Sequence, residues 1–128
     1  MLQHIKNLLE RNSLLVAIAS SFLILVLSLI SMDGVPNFKY NNTDKFEHAF
    51  AYAFMSFFWM LSCQLGKIKL SFLHLIVIII LYGIIIEVLQ MSITVSRTGD
   101  LLDVVANSIG VILGYVILRL LRRLYLQV

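Results

Sequence analysis

Apolar runs of about the length needed to cross a bilayer constrain this chain more than any other feature. Residues 13–32 form one such run, and residues 70–91 are nearly pure Leu, Ile and Val until their last turns. About 20 apolar residues in a helix cross the hydrocarbon core of a membrane, so each run predicts a spanning helix. Hydrophobic residues make up 60% of the 128 positions and charged residues 13%. This composition excludes an ordinary soluble chain and a disordered one.

Four spans are predicted, at about residues 13–32, 44–64, 70–91 and 100–118. We therefore expect an all-α fold, an integral membrane four-helix bundle, in a single domain over residues 1–128. The first run is too long for the apolar region of a signal peptide and lacks a cleavage-site pattern, which predicts that it is retained. Residues 1–12 mix Leu and Ile with charged side chains, as a separate interfacial anchor would.

The distribution of lysine and arginine predicts how the bundle is oriented. Cytoplasmic loops of membrane proteins carry an excess of these residues. Three of the ten fall on one side of the predicted spans, and they are Lys39, Lys45 and Arg97. The other seven fall on the opposite side: Lys6, Arg11, Lys67, Lys69, Arg119, Arg122 and Arg123. Both termini are therefore predicted to be cytoplasmic (N-in and C-in), with the acidic residues gathered at the outer end.

The single cysteine and the small net charge exclude several kinds of site and partner for this chain. The single cysteine, Cys63, allows no internal disulfide, and no Cys/His spacing resembles a structural zinc site. The net charge of +3 is small. We expect no nucleic-acid partner.

Polar residues recur inside the predicted spans at helical spacing. In the fourth span, intervals of three and four residues put one stripe on one face: Asp100, Asp103, Asn107, Gly110 and Gly114. The two glycines form a G-x-x-x-G, which lets a neighbouring helix approach closely. The third span repeats the pattern with Gly83, Glu87 and Gln90, and the second carries Asp44 and His48 one turn apart. His48 and Glu87 lie at comparable depth from their helix ends, so three helices are predicted to offer polar groups at one level.

Each polar residue has a structural alternative to a functional role. A charged group inside a membrane costs about 2.5–3.5 kcal/mol on insertion scales, so such groups are expected to pair or to form a site. His48 and Glu87 have no helix end to cap, and we interpret both as functional. The alternatives for the others are capping for Glu47 and Asp100, an interhelical hydrogen bond for Asn107, head-group contact for Lys45, and pairing with Asp100 or Asp103 for Arg97.

Two segments, DKFEHAFAYAFM from Asp44 and EVLQMSITVSRTGDLLDVVANSIGVILG from Glu87, resemble the VanZ-like family. Members of that family carry D-K-x-x-H at the start of one helix, and later E-x-x-Q, an arginine, D-x-x-D-x-x-x-N and G-x-x-x-G. The family positions fall on Asp44, Lys45, His48, Glu87, Gln90, Arg97, Asp100, Asp103 and Asn107. A proline common in the family before the arginine is absent, and Val95 and Ser96 stand in its place.

The resemblance also carries functional expectations. The family takes its name from a protein that raises resistance to teicoplanin-type glycopeptides. It implies a multi-pass protein of the bacterial cytoplasmic membrane, with a polar site on the outer side and a link to the cell envelope and to antibiotic resistance.

With the resemblance, the first hypothesis is an enzyme or processing factor that acts on a lipid-linked or cell-envelope ligand. Because imidazole exchanges protons near neutral pH, His48 is the predicted general acid or base, with Glu87 or Asp103 orienting it or carrying the second proton. Lys45 and Arg97 are expected to bind an anionic head group such as phosphate. The full set predicted to hold the ligand is Asp44, Lys45, Gln90, Arg97, Asp100 and Asn107. The expected partners are membrane lipids and a lipid-linked cell-wall precursor.

Two further hypotheses remain open at this point. The site could bind or shield a ligand without turnover, or the polar network could only hold the bundle together. No cofactor is expected, although His48, Glu87 and Asp103 leave a divalent metal open as an alternative. The sequence does not determine the oligomeric state.

Overall fold

Four α-helices make up the part of the chain that the structure describes. The structure is a computed structural model, and it describes residues 1–30, 43–93 and 100–125. The helices are α1 (Leu2–Leu29), α2 (Thr43–Gln64), α3 (Phe72–Ile93) and α4 (Leu101–Tyr125), and no strand occurs among these residues. The predicted all-α four-helix architecture is confirmed.

Three of the four helices are long and apolar enough to cross a membrane: α1, α3 and the segment Leu101–Leu124 of α4. The helix α2 has the same 22-residue length as α3 but is not among them. It begins with polar side chains, including Asp44, Lys45 and His48, and it contacts all three other helices. Crossing of the membrane by α2 stays a prediction.

Contacts at the two ends of the bundle define its topology. At one end, Gln90 near the end of α3 donates a hydrogen bond to the carbonyl of Ser28 near the end of α1, at 2.9 Å. At the other end, Lys67, in the turn after α2, donates to Ser13 Oγ at 2.9 Å and to the carbonyl of Glu10. The helices α1 and α3 therefore run in one direction, and α2 and α4 run in the other.

Local capping sets where the helices begin and end. The helix α2 stops at a Schellman turn, in which Gly66 adopts a φ of 74° and Lys67 N–H bonds back to the carbonyl of Ser62. The helix α3 begins two residues later than predicted because Ser71 caps it: its Oγ accepts the backbone N–H of His74 at 3.2 Å.

The helix α1 differs from its prediction. Residues 1–12 were expected to form a separate interfacial anchor, but the helix runs without a break from Leu2 to Leu29. The segment contains neither proline nor glycine and is rich in good helix formers, so nothing in it interrupts the helix. The last residues of the predicted span, Ser31 and Met32, lie outside the described residues.

The closest approach in the bundle is between α2 and α4. A Cβ placed on Gly110 would lie 2.3 Å from the carbonyl oxygen of Ala49, and one placed on Gly114 would lie 2.5 Å from that of Ala53. Both distances are far below van der Waals contact, so these positions of α4 accept only glycine without movement of α2. The predicted role of the G-x-x-x-G is confirmed, and the helix that it receives is α2.

Candidate functional site

The polar residues of three helices converge at the end of the bundle where α2 and α4 begin and α3 ends. We call this group the polar cluster. Its members are Asp44, Lys45 and His48 of α2, Glu87 of α3, Asp100 immediately before α4, and Asp103 and Asn107 of α4. The close contact between α2 and α4 lies next to it. Gly110 is about one helical turn after Asn107 in α4, and Ala49 is the residue after His48 in α2.

Lys45 joins the first turns of α2 and α4. Its Nζ lies 2.6 Å from Asp103 Oδ1 and 3.0 Å from Asp100 Oδ2. The second carboxylate oxygen of Asp100 accepts the backbone N–H of Leu102 at 3.0 Å, so Asp100 also caps α4. The capping alternative for Asp100 is thus confirmed, and it coexists with the ion pair.

The two ring nitrogens of His48 face chemically different groups, an amide and a carboxylate. Its Nδ1 is 3.0 Å from Oδ1 of Asn107, and its Nε2 is 3.6 Å from Oδ1 of Asp44. An amide oxygen can only accept a hydrogen bond, so with Asn107 in this orientation the proton lies on Nδ1. The interhelical hydrogen bond predicted for Asn107 is confirmed, and His48 is its partner.

Glu87 is the most deeply buried acid of the cluster. Its side chain is 3% exposed, and its Oε1 lies 4.0 Å from Nδ1 of His48. Neither of its carboxylate oxygens has a hydrogen-bond partner among the described residues. The backbone amide of Asp100 lies close to the carboxylate. A buried carboxylate without a partner is unfavourable, so this group is expected to be satisfied by something other than the packing around it.

Side-chain exposure in the cluster decreases from the end of the bundle towards its interior. Side-chain exposure falls from 46% for Asp100 to 18% for His48 and 3% for Glu87. Below Glu87 the floor is formed by Tyr52 of α2 and Gly83 of α3, which lie close to the amide nitrogen of Asn107. A polar group that entered from the end of the bundle would therefore meet Asp44, Asp100 and Lys45 before His48.

One predicted site residue, Gln90, contacts α1 rather than the cluster. The side-chain amide of Gln90 is buried and donates to α1 at Ser28, which gives it a role in joining α1 to α3. Arg97 lies outside the described residues, as do Val95 and Ser96.

Comparison with protein families finds a match to the VanZ/LLP1 model over residues 10–122. This chain belongs to the VanZ/LLP1 family. The match includes every member of the polar cluster and most of each of the four helices. Neither the curated proteins nor the solved structures contain a significant match to it.

In this VanZ/LLP1 chain, three members of the cluster could together hold a metal ion. Asp44, His48 and Asp103 each offer one ligand atom, and these atoms all lie within 4.8 Å of one another. The metal alternative considered from the sequence combined His48 and Asp103 with Glu87. The structure instead puts Asp44 in the set, because Asp44 faces Nε2 of His48, whereas Glu87 and Asn107 approach Nδ1.

The spacing of polar and glycine residues did not reveal the residues of α2 that support the site. Ala49 and Ala53 receive Gly110 and Gly114, and Ser56 donates from its Oγ to the carbonyl of Val111 at 3.3 Å. The signal was available, because Ala49 and Ala53 form a small-x-x-x-small pair like that of the two glycines. Together these contacts fix the register of α2 against α4, and that register brings His48 to Asn107.

Proposed function

We propose that this VanZ/LLP1 protein binds the polar head group of a lipid-linked cell-envelope ligand at the polar cluster, and that His48 and Glu87 act on the bound head group. The observation that carries the proposal is the Glu87 carboxylate, which is buried, has no partner among the described residues and faces His48. Hydrogen bonds between membrane helices contribute only about 0.6 kcal/mol on average. Holding the bundle together is therefore a weak reason to keep, at that depth, an acid that has no hydrogen-bond partner among the described residues.

The position of the cluster suits a ligand with an apolar tail. It lies at one end of a bundle whose helices expose many large apolar side chains along their length, such as Phe46 and Phe50 of α2. A head group at the cluster would leave its tail beside these surfaces, within the membrane. In the proposed orientation this end is the outer face of a bacterial cytoplasmic membrane, where cell-wall precursors are used.

Within this function, His48 would transfer a proton and Glu87 would orient the imidazole or accept the proton from it. Proton transfer from a positioned side chain contributes about 10²–10⁴-fold to a rate. The 4.0 Å between Glu87 Oε1 and His48 Nδ1 is longer than a hydrogen bond. Catalytic contacts often shorten when a ligand binds.

The charge of the cluster restricts the head group. Its described members include four carboxylates, while Lys45 already contacts two of these. An anionic phosphate therefore needs a further positive charge to enter, and Arg97 is the residue predicted to supply it. Arginine suits phosphate because its fork donates two hydrogen bonds at once.

The proposal is tested by ligand binding to the full chain in detergent. Native mass spectrometry would compare a polyprenyl diphosphate with phosphatidylglycerol and would record any conversion of the polyprenyl head group. We expect the wild type to retain and convert the polyprenyl ligand, and His48→Gln to retain it without conversion. Glu47→Gln, an exposed acid one residue before His48, is the matched control.

The remaining outcomes separate the alternatives. Retention without conversion by the wild type, with retention lost in His48→Gln, would indicate a binding protein without turnover. A wild type that retains neither lipid better than the other would contradict the proposal. The link to glycopeptide resistance is tested separately by the teicoplanin susceptibility of bacteria that express wild type or Glu87→Gln at matched levels.

A further inference from the structure

We propose that Asp44, His48 and Asp103 bind one divalent metal ion, with Glu87 and Asn107 supporting the histidine from behind. The inference rests on the proposed function only for the role of the ion, which would be to link the acidic cluster to an anionic head group. Because the ion would occupy Nε2, His48 would be a metal ligand in the ion-bound protein and the proton carrier only in the protein without the ion. That the ion binds follows from the geometry of the three side chains.

The first support is the spacing of the donor atoms. Atoms bound to one ion at about 2.1 Å lie about 3–4.2 Å apart. The three candidate atoms lie within 4.8 Å of one another, and Asp44 Oδ1 is 3.6 Å from His48 Nε2. The carboxylate of Asp44 is 43% exposed and is free to rotate toward a shared ion. Asp103 has a second oxygen besides the one that contacts Lys45.

The second support is the direction of the imidazole. With Nδ1 as the donor to Asn107 Oδ1, 3.0 Å away, the Nε2 atom of a neutral His48 presents its lone pair toward Asp44. A carboxylate cannot donate a hydrogen bond to that lone pair. A cation between the two satisfies both groups, and Nε2 is then available as a metal ligand.

The third support is Glu87, which lies outside the donor set. It is 97% buried, both of its oxygens lack a hydrogen-bond partner among the described residues, and Oε1 faces the ring nitrogen opposite the proposed ion. Histidines that bind metals commonly donate their other N–H to a carboxylate or a carbonyl, which fixes the tautomer and raises the basicity of the ligand. Asn107 and Glu87 occupy these positions behind His48.

The donor set indicates the class of ion. Mg²⁺ and Ca²⁺ prefer ligand sets made only of oxygen atoms. One imidazole with two carboxylates suits Mn²⁺ or Zn²⁺, which accept nitrogen and oxygen together. The described residues supply three protein donors, which would leave coordination positions for water or for a phosphate oxygen of the head group.

The test is a titration with Mn²⁺, followed by electron paramagnetic resonance, on the full chain in detergent after treatment with a chelator. We expect one Mn²⁺ per chain, with a ¹⁴N coupling in the electron spin-echo modulation that identifies an imidazole ligand, and displacement by Zn²⁺. Asn107→Leu should weaken binding by about 10–100-fold, and His48→Gln should abolish the ¹⁴N coupling. Glu47→Gln should change neither.

A saturable Mn²⁺ signal without ¹⁴N coupling in the wild type would overturn the inference, because it would show only loose association with exposed carboxylates. Absence of saturable binding would do the same. This measurement uses wild-type protein, so it does not depend on the folding of a variant. Mn²⁺ binding without retention of any polyprenyl ligand would uphold the metal site and contradict the proposed function. Retention of the ligand by chelator-treated protein that binds no Mn²⁺ when the ion is added back would do the reverse.

Discussion

The ammonium group of Lys45 lies 2.6 Å from the carboxylate of Asp103, and this contact joins the first turn of α2 to the first turn of α4. Glu87, on α3 and more deeply buried, has no comparable partner among the described residues. These two acids of the cluster thus differ in how their charge affects the stability of the fold. Asp103 holds two helices together, whereas Glu87 is costly to the fold as it stands.

Replacement of these two acids by their amides should therefore change stability in opposite directions. Asp103→Asn should lower the free energy of unfolding by about 1–3 kcal/mol, because it leaves Lys45 without its closest counter-charge at a partly exposed position. Glu87→Gln should leave stability unchanged or raise it by about 1 kcal/mol, because it removes a buried carboxylate that has no hydrogen-bond partner among the described residues. The measurement is thermal unfolding in detergent at matched protein concentration. If Glu87→Gln melts as far below wild type as Asp103→Asn does, Glu87 is part of the scaffold.

The contact between His48 and Asn107 should give a measurable coupling energy. A double-mutant cycle with His48→Ala and Asn107→Ala isolates it, since each substitution removes one side of the 3.0 Å contact. Hydrogen bonds between membrane helices reach about 1.7 kcal/mol in such cycles. We expect a value between about 0.6 and 1.7 kcal/mol from denaturant unfolding in mixed micelles. A cycle of His48→Ala with Ser108→Ala, whose hydroxyl bonds within α4, should show no coupling. Coupling of equal size in both cycles would argue against a specific contact.

The seam between α2 and α4 should be intolerant of a single methyl group. Glycine to alanine normally stabilises a helix by about 1 kcal/mol. At Gly110 the new Cβ would lie 2.3 Å from the backbone carbonyl of Ala49, so we expect Gly110→Ala to destabilise the protein by about 1–3 kcal/mol instead. Gly83→Ala is the matched control, because its nearest contact would be the side chain of Tyr52 at 3.1 Å. Equal melting temperatures for the two variants would show that α2 yields at this point.

The proposed orientation has a direct test by cysteine labelling. In a Cys63→Ala background, Glu47→Cys puts a thiol at the exposed cluster end of α2, and Lys69→Cys puts one at the opposite end. The lysine and arginine bias predicts that a membrane-impermeant maleimide added to intact cells labels the first variant and not the second. Permeabilised cells, in which both should react, provide the control. The opposite pattern in intact cells would place the cluster on the cytoplasmic side.

The sequence was sufficient for the class of fold and for most members of the cluster. Hydropathy and helical spacing are local properties, and they predicted the all-α architecture and four spans. Helix length and composition support three of these four spans. Spacing of three and four residues put Asp103, Asn107 and Gly110 on one stripe. The structure shows all three facing α2.

The helix α1 shows that a local pattern of charged residues does not predict where a helix begins. Charged residues before Ser13 predicted a separate anchor, yet the helix continues through them. Side-chain polarity tells where a helix meets water, but backbone hydrogen bonds and the absence of glycine and proline decide where it ends.

The sequence by itself determined that the chain forms apolar helices and that several polar side chains lie at a common depth in them. It also determined membership of the VanZ/LLP1 family. Only the tertiary structure decided the partners. Lys45 reaches Asp103, Gln90 turns to α1, and Asp44 rather than Glu87 joins His48 and Asp103 in the candidate metal set. The physical reason is that pairing depends on the rotation and register of one helix against another. The close packing of Gly110 and Gly114 against α2 sets that register, and it is a contact between residues about 60 positions apart in the chain.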